Sequence, residues 1–171
     1  MVELVGDVRP LRDDLVEIYR DAFCAPPYEE TEADVAQFRD ETLPEHLGRD
    51  GFRCAVARDG DRIVGFTYGY TGARGHSWTD AAAEALGPEL AAEWIGGRFE
   101  LVELAVRRAF RGRGLGSALH DLVLTGLLHR RAVLATWGEE YPEWHLYRRR
   151  GWERLGPFGD RHLLMGLRLH D

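Results

Sequence analysis

The sequence predicts an α/β protein with a mixed, mostly antiparallel central sheet of six to seven strands and helices on both faces. Two observations carry this prediction. Apolar residues recur at helical spacing near the N-terminus, whereas later runs of apolar, β-branched and aromatic residues have the length of strands. The resulting order is two helices, two strands, a strand–turn–helix unit, and then a strand, a helix and two strands. This order indicates one mixed sheet rather than separate helical and sheet regions.

The first seventy residues are expected to hold a short strand, two helices and a β-hairpin. The sequence Thr31-Glu-Ala-Asp is typical of the start of a helix, and Asp59-Gly60-Asp61 is typical of a hairpin turn. The predicted elements are a strand at Leu4–Val8, a helix from Leu11 to near Cys24, a helix from Thr31, and strands at Phe52–Arg58 and Arg62–Tyr70.

The remaining residues are expected to begin with an insertion, Gly72–Gly97, in which Gly87-Pro88 separates two helical stretches. A strand at Phe99–Val106 follows, and a glycine-rich turn then leads into the next helix. The predicted elements are helical stretches at Ala81–Leu86 and Glu89–Trp94, the strand Phe99–Val106, a helix from Leu115 to Leu127, a strand at Ala132–Thr136, a helix at Glu143–Arg150, and closing strands at Trp152 and His162–Leu169.

Length and composition indicate one globular domain spanning residues 1–171, with 44% hydrophobic and 30% charged residues. No apolar run is long enough to span a membrane, and the N-terminus lacks the pattern of a secretory signal. The two cysteines, Cys24 and Cys54, are too few for a disulfide framework, so we expect a cytoplasmic protein. The net charge of −7 argues against nucleic-acid binding. The first fifty residues carry 14 Asp and Glu against five Arg, which solvated helix surfaces explain most simply and attraction of a cationic acceptor explains as the alternative.

The segment that carries most chemistry is Arg111-Gly-Arg-Gly-Leu-Gly-Ser117, which places three glycines at alternate positions just before a helix. Glycine allows tight turns and close approach of a ligand to the backbone. The first N–H groups of a helix lack intrahelical partners, and they favour anions. Arg111 and Arg113 can add charge and hydrogen bonds. The segment therefore predicts a phosphate-binding loop.

Two common nucleotide motifs do not fit this loop. A Walker A loop needs a lysine, and the chain has none. A dinucleotide fingerprint needs its glycines directly after the strand and an acidic residue at the end of the next strand, whereas here Arg107–Phe110 intervene and that strand ends Ala135-Thr136-Trp137.

The loop instead resembles the signature of the GNAT superfamily of acyl-CoA-dependent N-acetyltransferases, Arg/Gln-x-x-Gly-x-Gly/Ala after a strand of the form Leu-x-Val. Leu104-Ala-Val106 followed by Arg111–Gly116 is similar to that signature. A second element of the family, a tyrosine on a short helix followed by glycine and an aromatic residue, resembles Tyr147 and Gly151-Trp152. The resemblance covers residues 99–152. It implies the acyl-CoA N-acyltransferase fold, acetyl-CoA as co-substrate, and direct acetyl transfer to a primary amine in a ternary complex.

The resemblance also assigns roles to residues of this chain. The backbone N–H of Leu104 would donate to the thioester oxygen, and Tyr147 would be the acid that protonates the departing thiolate. The residues expected to bind the coenzyme are Leu104, Ala105, Val106, Arg111, Gly112, Arg113, Gly114, Leu115, Gly116 and Ser117.

Two carboxylates compete for the role of general base. Glu100 and Glu103 lie on an otherwise apolar strand, where a charge is costly unless it is solvated or used. Strict alternation places them on opposite faces. Comparison with the positions used in some branches of the family favours Glu100, whereas the closeness of Glu103 to Leu104 favours Glu103. Both residues remain candidates for the base.

The acceptor is the least determined part of the prediction. Tyr28, Trp78 and Trp94 are candidates for the walls of an acceptor pocket, although ordinary packing explains them equally well. We expect a small-molecule amine, with a protein N-terminus or lysine as the alternative acceptor. A non-catalytic acyl-CoA-binding or sensing domain is the rival function. The seven histidines show no metal-ligand spacing, so no metal is predicted, and a homodimer stays open.

Overall fold

The computed structural model describes residues 1–170, and it contains a mixed sheet of seven strands in the order β1-β2-β3-β4-β5-β7-β6. The register is antiparallel for β1–β2, β2–β3, β5–β7 and β6–β7, and it is parallel for β4–β5. The predicted mixed, mostly antiparallel sheet is therefore confirmed. Its strands are β1 (Val2–Val5), β2 (Arg53–Asp59), β3 (Arg62–Thr71), β4 (Phe99–Val106), β5 (Arg131–Thr136), β6 (Glu153–Phe158) and β7 (His162–Arg168).

Six α-helices accompany the described strands. They are α1 (Arg12–Phe23), α2 (Glu32–Gln37), α3 (Leu43–Leu47), α4 (Ser77–Trp94), α5 (Leu115–Leu124) and α6 (Pro142–Arg149). A π-helical turn at Phe38–Thr42 joins α2 to α3, and short 3-10 turns lie at Arg9–Leu11 and Arg108–Phe110. The described residues fall into two compact units.

The first unit comprises Met1–Tyr70 and Glu103–Thr125. Helix α5 packs on β1 and β2, and its Leu119 and Val123 are fully buried. Helix α2 begins at the predicted cap, because the Thr31 side chain accepts from the Asp34 N–H while the Asp34 carboxylate accepts from the Thr31 N–H at 2.7 Å. The turn that follows α2 places Phe38 between two aromatic neighbours, since its ring stacks on Tyr19 at 4.3 Å and on Phe66 at 6.3 Å.

The second unit comprises Thr71–Val102 and Gly126–Asp171. Helix α4 packs on β5 and β6, and it is interrupted at Gly87, whose φ of 78° lies outside the helical region. The sequence predicted this interruption. Trp94 at the end of α4 is 1% exposed, and a Cβ on Gly166 would lie 2.5 Å from its ring. Only glycine therefore fits at that point of β7.

The predicted first strand was wrong in its position. Leu4–Val8 was expected, whereas β1 runs from Val2 to Val5. The reason is local, because the Asp7 carboxylate accepts hydrogen bonds from both the backbone N–H and the guanidinium of Arg9, and this turn ends the extended chain. At the start of the chain the Met1 ammonium donates to the carbonyl of Arg58 at 3.1 Å. Among residues 1–170 no helix is both long and apolar enough to cross a bilayer.

Candidate active site

The second half of β4 is held against β3 in the first unit. The Thr67 hydroxyl donates to the carbonyl of Glu103 at 2.7 Å, and the Arg107 N–H donates to the carbonyl of Val64 at 2.8 Å. A Cβ on Gly65 would lie 3.1 Å from the Ala105 carbonyl oxygen, so glycine permits this close approach. The strand segment expected to bind pantetheine, Leu104 to Val106, is thereby fixed on one side.

The glycine-rich loop ends at a helix start that no side chain caps. Gly112 and Gly114 have φ values of 74° and 78°, in the left-handed region where glycine is favoured. Gly114 is the N-cap of α5, makes no side-chain capping hydrogen bond, and is followed by a first turn without an acidic residue. The N–H groups of that first turn, from Leu115 to Ser117, therefore present donors and a partial positive charge. This is the geometry of an anion site.

Arginines of the same segment hold the loop in place. Arg111 donates to the carbonyl of Val106 at 3.2 Å and to the carbonyl of Ala22, the last but one residue of α1, at 3.0 Å. Arg113 donates to the carbonyl of Ala109 at 3.2 Å. The Arg108 N–H donates to Asp21 at 2.7 Å. Some donors of Arg111 and Arg113 are thus used within the protein, so both residues shape the loop as well as adding charge beside it.

Glu103 lies in a strongly perturbed electrostatic environment. It is half-buried, and burial raises its pKa to about 8, with a further contribution from the negative charge of Glu30. The charge of Glu103 acts in turn on Tyr19 and Tyr68, whose pKa values are raised first by burial and then by this carboxylate. A pKa of about 8 lies close to neutral pH, and a general base is most effective when its pKa is near the pH at which it works.

A series of aromatic contacts in the first unit begins at the tyrosine that is hydrogen-bonded to Glu30. Tyr19 donates to the Glu30 carboxylate at 3.2 Å, and its ring makes an edge contact with Phe23 at 5.0 Å. Phe23 in turn contacts Tyr28 at 5.3 Å. The structure therefore brings the candidate acceptor residue Tyr28 into the same group of contacts as Glu30.

Sequence reasoning missed Tyr19, Glu30 and Tyr68. The Tyr68 hydroxyl, fully buried on β3, lies 2.9 Å from Nδ1 of His46 on α3. The residues that interact with Glu103 are distant in sequence, and nothing in their local patterns marks them. The alternation of Phe66, Tyr68 and Tyr70 on one face of β3 was the available signal.

Glu100, the other candidate base, is enclosed in the second unit. It is 2% exposed and accepts a hydrogen bond from the Thr79 hydroxyl at 2.6 Å. Its carboxylate occupies the space that a Cβ on Gly72 would fill. These contacts make Glu100 an internal partner of α4 and of the segment that precedes it, which favours Glu103 as the base.

The other predicted residues of the second unit differ in exposure. Tyr147 on α6 is 7% exposed, and its ring meets that of Trp152 at 5.8 Å. Trp78 is half-buried and contacts Phe158 at 5.6 Å. Trp94 belongs to the core beside Gly166, with the guanidinium of Arg168 5.0 Å from its ring, and this burial favours ordinary packing over a place in the wall of an acceptor pocket. Among residues 1–170, no three His, Cys, Asp or Glu side chains converge in a way that could hold a metal ion.

The mixed sheet and the uncapped helix after a glycine-rich loop fit the predicted class of acyltransferases. The chain belongs to the acetyltransferase (GNAT) family, whose model matches residues 12–152.

Similar proteins carry different names within this family. A GCN5-like protein acetyltransferase of Mycobacterium tuberculosis is 38% identical over 97 residues, a match that spans 52% of this chain and 47% of the relative, about half its length. The PaiA N-acetyltransferase of Thermoplasma acidophilum was solved in complex with coenzyme A, and it superposes on this chain with a TM-score of 0.71 at 14% sequence identity. The superposition covers 98% of this chain and 99% of that protein. The ribosomal-protein-S18-alanine N-acetyltransferase of Escherichia coli superposes with a TM-score of 0.67 at 13% sequence identity. The superposition covers 100% of this chain and 96% of that protein. These two structural likenesses show the fold alone.

Proposed function

We propose that residues 1–171 form a single N-acetyltransferase domain that moves an acetyl group from acetyl-CoA to a primary amine by direct transfer. The observation that carries this proposal is the start of α5, where Gly114 leaves the first-turn N–H groups without a capping side chain. A pyrophosphate is the anion that such a site suits in a GNAT protein, and a structure of the same fold was solved with coenzyme A.

The residues of the first unit can hold the coenzyme along two stretches of backbone. The N–H groups from Gly112 to Ser117 would bind the pyrophosphate, and the edge of β4 from Leu104 to Val106 would pair with the amides of the pantetheine arm. The coenzyme supplies the acetyl thioester. The Leu104 N–H donates to the thioester oxygen, which stabilises the negative charge that develops there.

Proton transfer is assigned to one carboxyl and one phenol. Glu103 accepts the proton that the acceptor ammonium must lose before it can attack, and the environment that raises its pKa to about 8 supports this role. Tyr147 donates a proton to the thiolate that leaves. Glu100 is not given a catalytic role, because its carboxylate is buried against Thr79 and Gly72.

The acceptor is proposed to be a small-molecule amine. The acidic first fifty residues, Glu30 among them, support a cationic acceptor. The relatives named above include enzymes whose names specify protein acceptors. We also propose a cytoplasmic location, which the free thiols of Cys24 and Cys54 support.

Calorimetry with acetyl-CoA, followed by a thiol-release assay over a panel of amines, tests the proposal. The expected result is saturable binding and thiol release that depends on a small primary amine. Tight binding without amine-dependent release from any amine or peptide would instead support a coenzyme-sensing domain. Acetylation restricted to peptide N-termini or lysines would overturn the choice of acceptor while leaving the reaction intact.

A further inference from the structure

A histidine on α3 joins two tyrosine hydroxyls of β3, and none of these three residues has a role in the proposed chemistry. The Nδ1 atom of His46 lies 2.9 Å from the Tyr68 hydroxyl, and its Nε2 atom lies 3.4 Å from the Tyr70 hydroxyl. Tyr68 and Tyr70 are two positions apart, so their side chains lie on the same face of the strand. Both are fully buried. One imidazole ring therefore connects two buried phenols.

The guanidinium of Arg49 lies at one end of this group. Its Nη1 atom donates to the Tyr70 hydroxyl at 3.3 Å, and its Cζ atom lies 4.9 Å from the centre of the Tyr70 ring. The side chain of Arg49 is 8% exposed, and its charge is paired with that of Glu45. A guanidinium donates hydrogen bonds and accepts none. The Tyr70 hydroxyl is therefore the acceptor at this contact, and its own hydrogen can be donated to Nε2 of His46.

Glu103 lies at the other end of the group. The Thr67 hydroxyl donates to the backbone carbonyl of Glu103 at 2.7 Å, which places Glu103 beside Thr67 and Tyr68 of the neighbouring strand. Burial and the charge of Glu103 raise the pKa of Tyr68 well above its ordinary value. The phenol of Tyr68 therefore keeps its proton near neutral pH, so it can act as a hydrogen-bond donor.

The two ends set a direction for the hydrogen bonds between them, because Arg49 can only donate and an ionised carboxylate can only accept. In this direction the Tyr70 hydroxyl donates to Nε2 of His46, and Nδ1–H of the same ring donates to the oxygen of Tyr68. A neutral imidazole with its proton on Nδ1 makes both contacts. The hydrogen of the Tyr68 hydroxyl is then directed to the side of Glu103. Hydrogen bonds that follow one direction in this way strengthen one another.

We propose that His46 is a positioning residue, which holds the Tyr68 hydroxyl as a donor toward the carboxylate of Glu103. Arg49 and Tyr70 keep the imidazole in the tautomer that this arrangement requires. A donor on this side favours the ionised form of Glu103, the form that can accept a proton from the amine. This inference rests on the proposed function, because it concerns the base of that reaction.

Other titratable groups of the first unit act on the same two residues. The charge of Glu30 acts on Glu103, and the charge of Glu103 acts on the buried phenol of Tyr19, whose pKa is raised. Cys54 acts on Tyr68, and burial raises the pKa of the Cys54 thiol to about 12. Tyr19 and Cys54 therefore stay uncharged near neutral pH, so their ionisation does not overlap with that of the base.

The ionisation of Glu103 can be followed without any substrate. The side-chain carboxyl carbons of glutamate are labelled with carbon-13 in the full chain, and the signal that is missing from Glu103→Gln is assigned to Glu103. Its chemical shift is recorded against pH for the unmodified protein, for Tyr68→Phe and for His46→Leu. In both variants the midpoint is expected to rise by about half a pH unit, the size of one weak neutral hydrogen bond lost from a carboxylate.

Two further variants are controls. His46→Asn carries no charge, but its amide N–H can replace Nδ1–H as the donor to Tyr68, so the midpoint should return toward that of the unmodified protein. His120→Leu removes another buried histidine of the first unit, one that contacts Asp121 at 2.8 Å, and the midpoint should not move. The pH at which kcat/KM for thiol release rises should follow the carboxyl titration in every variant.

The outcomes separate this inference from the proposed function. A midpoint that stays or falls in either Tyr68→Phe or His46→Leu overturns the inference. Equal shifts in His46→Asn and His46→Leu also overturn it, because charge or packing would then explain them. If the carboxyl titration shifts and kcat/KM does not follow, the role of Glu103 as the base is overturned. If no amine releases thiol, the proposed function fails, whereas the titration still decides the direction of the hydrogen bonds.

Discussion

At the scale of single residues, the feature that most affects chemistry is the high pKa of Glu103. Its carboxyl lies on a strand, is half-buried and interacts with the charge of Glu30, which lies 73 positions earlier in the sequence. Burial and like charge both favour the protonated form. The residue is therefore a stronger base than an ordinary glutamate, and the rate should depend on its ionisation.

Glu103→Gln is expected to lower kcat about a hundredfold or more, the usual contribution of a general base. In the unmodified protein kcat/KM should rise with pH until Glu103 is ionised, at about pH 8. The measurement is kcat/KM from thiol release between pH 6 and 10. Glu30→Gln is the control, because removal of its charge lowers the pKa of Glu103 and should move the rise to lower pH. A Glu103→Gln protein with an unchanged profile would contradict the assignment.

Tyr147→Phe is expected to lower kcat about tenfold or more. The phenol is lost as a proton donor, whereas the ring contact with Trp152 is kept. Turnover is measured by thiol release on a preparation whose folding is checked by thermal melting. Full turnover of Tyr147→Phe at every pH would remove this residue from the mechanism.

At the scale of elements, α5 begins at Gly114, whose backbone is in the left-handed conformation. No side chain of the described residues caps the N–H groups of its first turn. An ordinary helix start carries Ser, Thr, Asp or Asn as its cap, since these side chains satisfy the first N–H groups. Helix α2 shows that arrangement with Thr31 and Asp34. The helices α1, α3, α4 and α6 also begin without a side-chain cap, but each has an acidic residue in its first turn, whereas α5 has none. The lack of a nearby negative charge, together with the glycine-rich loop, favours an anion at the start of α5.

Gly114→Asp and Gly114→Asn test this contrast with two side chains of nearly equal shape. Both tolerate a positive φ better than most residues, and no atom lies within 4 Å of the Cβ position. The aspartate places a negative charge at the helix start, so binding of acetyl-CoA should weaken about tenfold more than in the asparagine variant. Calorimetry measures both constants. Gly60→Asn, at a hairpin glycine with φ 59°, controls for backbone strain alone. Equal affinities of the two Gly114 variants would argue against an anion site.

The contact of β7 with α4 gives a prediction for stability. Gly166→Ala is expected to lower the free energy of unfolding by about 1–3 kcal/mol, because the new methyl group would overlap the buried ring of Trp94. Gly156→Ala on β6 should have little effect, since the nearest atom to its Cβ would be 3.7 Å away. Chemical denaturation of the two variants measures the difference, and equal losses would contradict this packing.

The elements that the sequence predicted well are those with strong local signals. The bounds Phe99–Val106, the turn at Gly60 and the helix start at Thr31 depend on residues within a few positions of one another. The first strand was misplaced because a single hydrogen-bonded turn at Asp7 decides its end. Trp94 could not be assigned from sequence, because its burial depends on a glycine of β7 that lies 72 positions later. The left-handed turns at Gly112 and Gly114 were predictable from the glycines, whereas the influence of Glu30 on Glu103 needed the fold.

At the scale of the whole molecule, activity and stability are expected to oppose each other through Glu103. Its pKa is about 8 in the folded protein and near 4.5 ordinarily. Between these values the folded state binds a proton that the unfolded state has released, so the contribution of this group to stability falls as pH rises. In the proposed mechanism, Glu103 thus costs stability in the pH range where it acts as the base.

Glu103→Gln should therefore melt at a higher temperature than the unmodified protein, and the difference should grow from pH 5 to pH 9. The amide cannot ionise, so the variant avoids the cost of a buried charge at high pH. Thermal melting at both pH values measures the effect. A difference that is constant with pH, or that shrinks toward pH 9, would contradict the raised pKa.

The lack of lysine in residues 1–171 has a practical consequence for assays. No side chain of this stretch carries a primary amine, so acetylated lysine, a frequent source of background with acetyl-CoA, cannot form within it. An antibody against acetyl-lysine should therefore detect no signal from residues 1–171, and a signal from a mixture of these residues with a protein acceptor reports the acceptor.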